Sequence, residues 1–158
     1  MKSIIIEIAQ KNYACSDAMK WLNNNKTHSD KWLYDHCNRP DWIAWWLYKS
    51  GVNLDKKTWV QLALICAEAV LQNYERQYSD DKRPRKAIEA ARAWLNNPSS
   101  EAESAAWSAA RSAESAAWSA ESAAESAARS AAESAVESAA IRKLISWRKI
   151  VKLLKAKP

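Results

Sequence analysis

Arg83-Pro84-Arg85-Lys86 is the densest group of side chains in this 158-residue chain that could do chemistry. Proline is tolerated in the first turn of a helix, so the group predicts cations around a helix start. The N–H groups and dipole of such a terminus already favour an anion. Each guanidinium fork can grip a phosphate or a carboxylate through paired hydrogen bonds. Arg83, Arg85 and Lys86 are therefore candidates for an anionic, nucleotide-like ligand or an acidic partner. The competing use is internal, with these Arg pairing with Asp80, Asp81 or a carboxylate on another helix.

A second basic group closes the chain. Arg142, Lys143, Arg148, Lys149 and Lys152, followed by Lys155 and Lys157, accompany the apolar series Leu144, Trp147, Val151 and Leu154. A basic amphipathic helix suits a membrane surface, a nucleic acid or a partner protein. Its plainer use is as a terminal helix that buries its apolar face and leaves its Lys in water. The acidic repeat described next, in this chain or in a second copy, is another counterpart for it.

Residues 101–140 are almost entirely Ala and Ser. A bulky or charged residue recurs every three or four positions from Glu103 through Trp107, Arg111, Trp118 and Arg129 to Glu137. The pattern returns after eleven residues, about 3.67 per turn, which predicts a nearly straight α-helix. Ala has the best helix propensity, and its small side chain lets another helix approach closely. Trp107, Arg111, Trp118 and Arg129 share one stripe of that helix and are offered to a partner or to a second copy of the chain.

Nothing in the chain points to catalysis. There is no GxSxG, P-loop, HExxH or dinucleotide fingerprint. His28 and His36 are the only histidines, and neither is spaced from a carboxylate for acid–base work. Cys15, Cys37 and Cys66 lack CxxC spacing and read as buried free thiols of a reducing compartment. We expect no enzyme, no cofactor and no metal site.

The elements that must position these groups are helices. The chain has one Gly, four Pro and no Phe, and β-branched runs are scarce, a profile that predicts an all-α protein. Helices are expected near 2–11, 15–24, 30–37, 40–50, 55–78 and 84–95, then over the Ala-rich segment. Trp21, Trp32, Trp42, Trp45, Trp46, Trp59 and Trp94 lie in the first hundred residues. Bulky rings opposite a small-residue helix fill space at normal density. We therefore expect a multi-helix bundle, its Trp-rich helices packed against a long Ala/Ser-rich helix or broken helix pair. The expected organisation is a Trp-rich region over 1–98 and an Ala/Ser-rich region with its basic C-terminal helix over 99–158, both in one structural domain. An unbroken helix over 101–155 would be ~80 Å long, and the drift of the stripe beyond Arg129 favours a bend at 129–138. Ser99 or Ser100 with Glu103 suggests a capping box at its start.

Charge is uneven. Residues 1–100 carry net +4, residues 101–141 net −5, and residues 142–158 net +7. No apolar run approaches the ~18 residues of a membrane span, and the first residues do not form a signal peptide. The expected location is the cytoplasm, that of the bacterial host if a phage encodes the chain.

Three stretches carry a resemblance. Ala14 to Leu22 (ACSDAMKWL), Asp41 to Leu47 (DWIAWWL) and Arg83 to Leu95 (RPRKAIEAARAWL) are similar to bacterial and phage immunity proteins of the immunity-protein-five-like kind. The similarity runs over roughly residues 12–140 and includes a terminal Ala-rich repeat. It implies an all-α, non-enzymatic antagonist that neutralises a toxin, a defence effector or an effector's nucleotide signal, and it supplies no catalytic residues. The alternatives from the residues themselves are a nucleic-acid or membrane-surface protein acting through the basic tail, and a self-associating helical protein.

Overall fold

The structure is a computed structural model that describes residues 3–106, 108 and 131–156. Every regular element among them is an α-helix, as composition predicted. The helices are α1 (Ile4–Lys11), α2 (Ser16–Asn24), α3 (Asp30–His36), α4 (Pro40–Ser50), α5 (Lys56–Gln77), α6 (Arg83–Asn96), α7 (100–106), α8 (Ala131–Leu144) and α9 (Trp147–Lys155). Trp107, Arg111, Trp118 and Arg129, the stripe offered to a partner, lie outside the described residues.

Local chemistry sets the helix ends. The Ser3 hydroxyl accepts from Ile6 N–H at 3.2 Å, and the Asp30 carboxylate accepts from Ile4 N–H at 3.1 Å, so a residue of α3 caps α1. Pro40 opens α4, and Gly51 ends it in the left-handed region at φ 64°. Asp55 accepts from the N–H of Thr58 at 2.8 Å and from its hydroxyl at 2.7 Å, starting α5. Ser146 accepts from Lys149 N–H at 3.3 Å and starts α9. The last cap matters most for the architecture. It breaks the C-terminal helix at Ile145–Ser146, with neither Gly nor Pro, whereas the expected bend lay at 129–138. Residues 131–138 are helical.

The chain forms two compact units, one of Met1–Leu54 with Ala135–Pro158 and the other of Asp55–Ser134. These cuts differ from the 98/99 boundary drawn from composition. Composition follows residue type along the chain, whereas the units follow contacts in space, and the end of the chain belongs with its beginning.

In the first unit α1 packs on α2, α3 and α4, and α3 packs on α9. Leu33, Leu47, Ile141, Ile145 and Ile150 are at most 1% exposed. The Tyr34 hydroxyl donates to the Ile145 carbonyl at 2.6 Å, and the Arg142 guanidinium donates to the Cys37 carbonyl at 2.9 Å. The Trp147 ring lies 6.2 Å from Trp46 and 5.8 Å from Tyr34. Ile141, Ile145 and Ile150 are thus core of this unit, the plainer of the uses the sequence allowed. Trp46 is buried, but Trp21, Trp32, Trp42, Trp45 and Trp147 are only half-buried. Trp is too large to vanish often from a small surface, so Leu and Ile make the dry centre.

In the second unit α5 and α6 pack side by side through Leu64, Leu71 and Ile88. Trp94 is buried near the end of α6. Ser99 caps α7, its hydroxyl accepting from Ala102 N–H at 3.1 Å. Glu103 lies one position beyond the place a capping box requires, and it pairs with Lys56 instead.

Candidate functional site

Small residues on α5 and α6 leave a groove between them. Ala63 and Ala67 face it from α5, Ala87 and Ala91 from α6, and Leu64 and Ile88 form part of its lining. Trp94 and Ala106 lie along it, and its volume is about 370 Å³. The surface is apolar, and its polar members are Lys56 and Glu103. Lys56 pairs with Glu103 and also sits 5.2 Å from the centre of the Trp94 ring. A cation over an indole face is attracted by the ring quadrupole. The groove is therefore an apolar trough with an aromatic member and an ion pair.

The Arg83 cluster lies in the same unit, and its guanidinium groups are engaged. Asp81 accepts from Arg83 Nε at 2.9 Å, from Nη2 at 2.7 Å and from the Arg83 backbone N–H at 3.0 Å. The Tyr74 hydroxyl donates to the same carboxylate at 2.8 Å. The Arg83 side chain, then its backbone N–H, holds the Asp81 carboxyl well below the usual range. Arg85 forks onto Glu75 of α5, with Nε to Oε1 at 2.6 Å, and this lowers Glu75 likewise. Lys86 is exposed. The two forks that suited a phosphate thus join α6 to α5 and to the loop before it, the internal use weighed against the ligand. Asp81 proves to be a structural ligand of Arg83.

In the first unit the predicted basic residues separate. Arg142 is half-buried on the Cys37 carbonyl, while Lys143, Arg148, Lys149 and Lys152 are exposed. The cysteines separate too: Cys37 is buried, Cys66 half-buried and Cys15 exposed, against the expectation of three buried thiols. Burial pushes the Cys37 thiol up to about 11. The cavity in this unit, lined in part by Trp21, Trp42, Trp45 and Trp46, is about 50 Å³. That is room for one or two waters and too little for a ligand.

Sequence reasoning missed two features. The α5–α6 groove is absent from the predicted site because attention to charge passed over Ala63, Ala67, Ala87 and Ala91. Their spacing of four residues on each helix was the available signal. The second is a ladder of rings that starts at His28, before α3, and continues along that helix. His28 stacks on Trp32 at 3.7 Å and Trp32 on His36 at 4.1 Å, with planes 15° and 10° apart. The i, i+4, i+8 spacing of those rings was equally visible.

Residues 51–143 match the family model described as Imm-5 like putative immunity protein. No curated protein and no solved structure matches the chain. The matched span holds every residue that lines the groove, and it leaves out α1 to α4 and α9. Of the three stretches that carried the resemblance, only 83–95 falls inside it.

Proposed function

This chain belongs to the Imm-5 like family of immunity proteins, and from that premise we propose that it neutralises a protein toxin or defence effector by binding it, without catalysis, through the α5–α6 groove. The observation that carries this is the position of the groove, wholly inside the matched span. Protein interfaces draw most of their energy from a desolvated apolar centre with aromatic anchors and a polar rim. Leu64, Ile88 and Trp94 supply the first, and Lys56 with Glu103 the second. The alanines leave space for a partner helix to come close, as in other helix-in-groove complexes. The protein would act in the bacterial cytoplasm, that of the host if a phage encodes it. Self-association through the Ala-rich repeat is compatible with this use.

A nucleotide signal as the ligand is the weaker reading, because Asp81 and Glu75 already fill the forks of Arg83 and Arg85. Co-expression with the genes that neighbour this one, one at a time, tests the proposal. A neighbour that stops growth alone should be tolerated when this chain is present. Ala63→Glu with Ala87→Glu should abolish that protection and binding to the purified effector while leaving the helical signal intact. Protection that survives both substitutions would overturn the groove, and a full set of neighbours that this chain never makes tolerable would overturn neutralisation.

A further inference from the structure

The cations of α9 face no counter-charge among the described residues. Arg148, Lys149, Lys152 and Lys155 are exposed, as is Lys143 at the end of α8. Among the described residues none of the five forms an ion pair. At about 100° per residue the four on α9 fall within an arc of about 120°, so they share one side of the helix. The unit that holds them carries 14 basic and 6 acidic residues, net +8, whereas the other carries net −2. Unpaired charge of one sign on one face is held at an electrostatic cost and recruits ions of the opposite sign.

We propose that this face of α9 binds the phosphate backbone of a nucleic acid. Three observations choose this polyanion. A membrane-surface helix must insert its apolar face, but Ile150 is fully buried and Trp147 packs against Tyr34 and Trp46. An acidic protein would need an apolar anchor at the centre of its interface, and the solvent side of α9 presents Lys and Arg. The exposed positions of α9 are all basic, Arg148, Lys149, Lys152 and Lys155, and such groups suit phosphate oxygens as a fork or as point charges. Neutralising phosphates with Lys and Arg releases condensed counterions, so the binding weakens steeply with salt.

The test is fluorescence anisotropy of the full chain with labelled 20-nucleotide single-stranded and double-stranded DNA. Four phosphate contacts give an expected slope of log K against log salt of about −3 to −4. Arg148→Gln, Lys149→Gln, Lys152→Gln and Lys155→Gln combined should lower affinity at least tenfold with the Trp emission unchanged. Lys57→Gln with Lys86→Gln, exposed cations of the other unit, should leave it unchanged. Absence of binding at low salt, a flat salt dependence, or equal loss in the two sets would overturn the proposal. So would tighter binding to phosphatidylserine vesicles, which would make the face a membrane site, or to polyglutamate, which would make it a protein site. The groove variants Ala63→Glu and Ala87→Glu should bind DNA as the unaltered chain does, so this proposal and the neutralising role fail separately.

Discussion

In the Asp55–Ser134 unit Lys56, Arg83, Arg85 and Arg92 each face a carboxylate, whereas the cations of α9 in the other unit face none among the described residues. The first set joins helices: Arg85 on α6 reaches Glu75 on α5, and Lys56 on α5 reaches Glu103 on α7. The second set rides on a helix already held by Ile150 and Trp147. Cations in this molecule thus have two uses, and sequence proximity to acids does not separate them. What separates them is whether an apolar contact has already docked the element. α9 has a complete apolar face and leaves its charge outside; the α5–α6 pair keeps a groove open and relies partly on ion pairs.

The largest effect that could break this comparison comes from α9. Ile150 is fully buried, and deleting buried aliphatic atoms costs both transfer energy and a cavity. Ile150→Ala should destabilise the first unit by about 3 kcal/mol, read as an earlier urea midpoint in Trp emission. The same substitution should leave the α5–α6 unit protected from proteolysis. An unchanged midpoint would show that the tail is an appendage and that its apolar contacts do not hold it.

The helices themselves were legible because their signals are local. Pro40, Gly51 and Asp55 mark ends by their own chemistry, and so does Ser99. Ser146 offers the same chemistry, yet it sits in a run of good helix formers, and the break became visible only once Ile145 was buried against Tyr34. The partition into units was not legible, because joining residues 1–54 to 135–158 depends on long-range contacts such as Tyr34 to Ile145. The site was half legible. The basic residues were found from their type, but whether a fork is free depends on which carboxylate the fold brings to it, and Glu75 lies ten residues from Arg85. The groove is made by what alanine leaves empty, and charge-centred reading does not see that.

The second prediction uses pH to pull the units apart. Burial lifts the Cys37 thiol from 9.0 to about 11 and raises the Tyr34 phenol beyond its ordinary value. A raised folded value means the stabilising effect is complete below the unfolded value and is lost as pH climbs from 9.0 toward 11. The first unit should therefore lose on the order of 2 kcal/mol over that range. Asp81 and Glu75 are shifted the other way, mainly by Arg83 and Arg85. Their contribution is present above 3.8 for Asp81 and 4.5 for Glu75, and it is lost as pH falls below those values. The α5–α6 unit should accordingly loosen in acid and the first unit in alkali. Hydrogen exchange at both extremes checks this, and loss of both units at the same extreme would remove the contrast.

A smaller effect of opposite sign belongs to Ser138. It is fully buried, and its hydroxyl has no hydrogen-bond partner among the described residues. Burying a hydroxyl without a partner costs about 1–3 kcal/mol in proteins. Removing it relieves that cost and takes away little packing volume, so Ser138→Ala should stabilise the first unit by about 1 kcal/mol. A thermal melt that moves down instead of up would show that the hydroxyl has a partner the contrast ignores.

The smallest effect tests whether ion pairs matter as links in the α5–α6 unit. Arg92 Nε donates to Glu68 at 2.9 Å, and the two side chains are 61% and 34% exposed. Such pairs gain little in water, because solvent screens them and holding two long side chains costs entropy. Arg92→Ala alone should therefore change stability by less than about 0.5 kcal/mol. The informative measurement is a double-mutant cycle with Glu68→Ala, since it isolates the pair from the packing of the Arg stem along α6. A coupling near zero would mean that α5 and α6 are held by Leu64, Leu71 and Ile88, with the ion pairs merely tolerated. A coupling above about 1 kcal/mol would mean that cations hold this unit together, and the distinction between its cations and those of α9 would then be one of structural necessity.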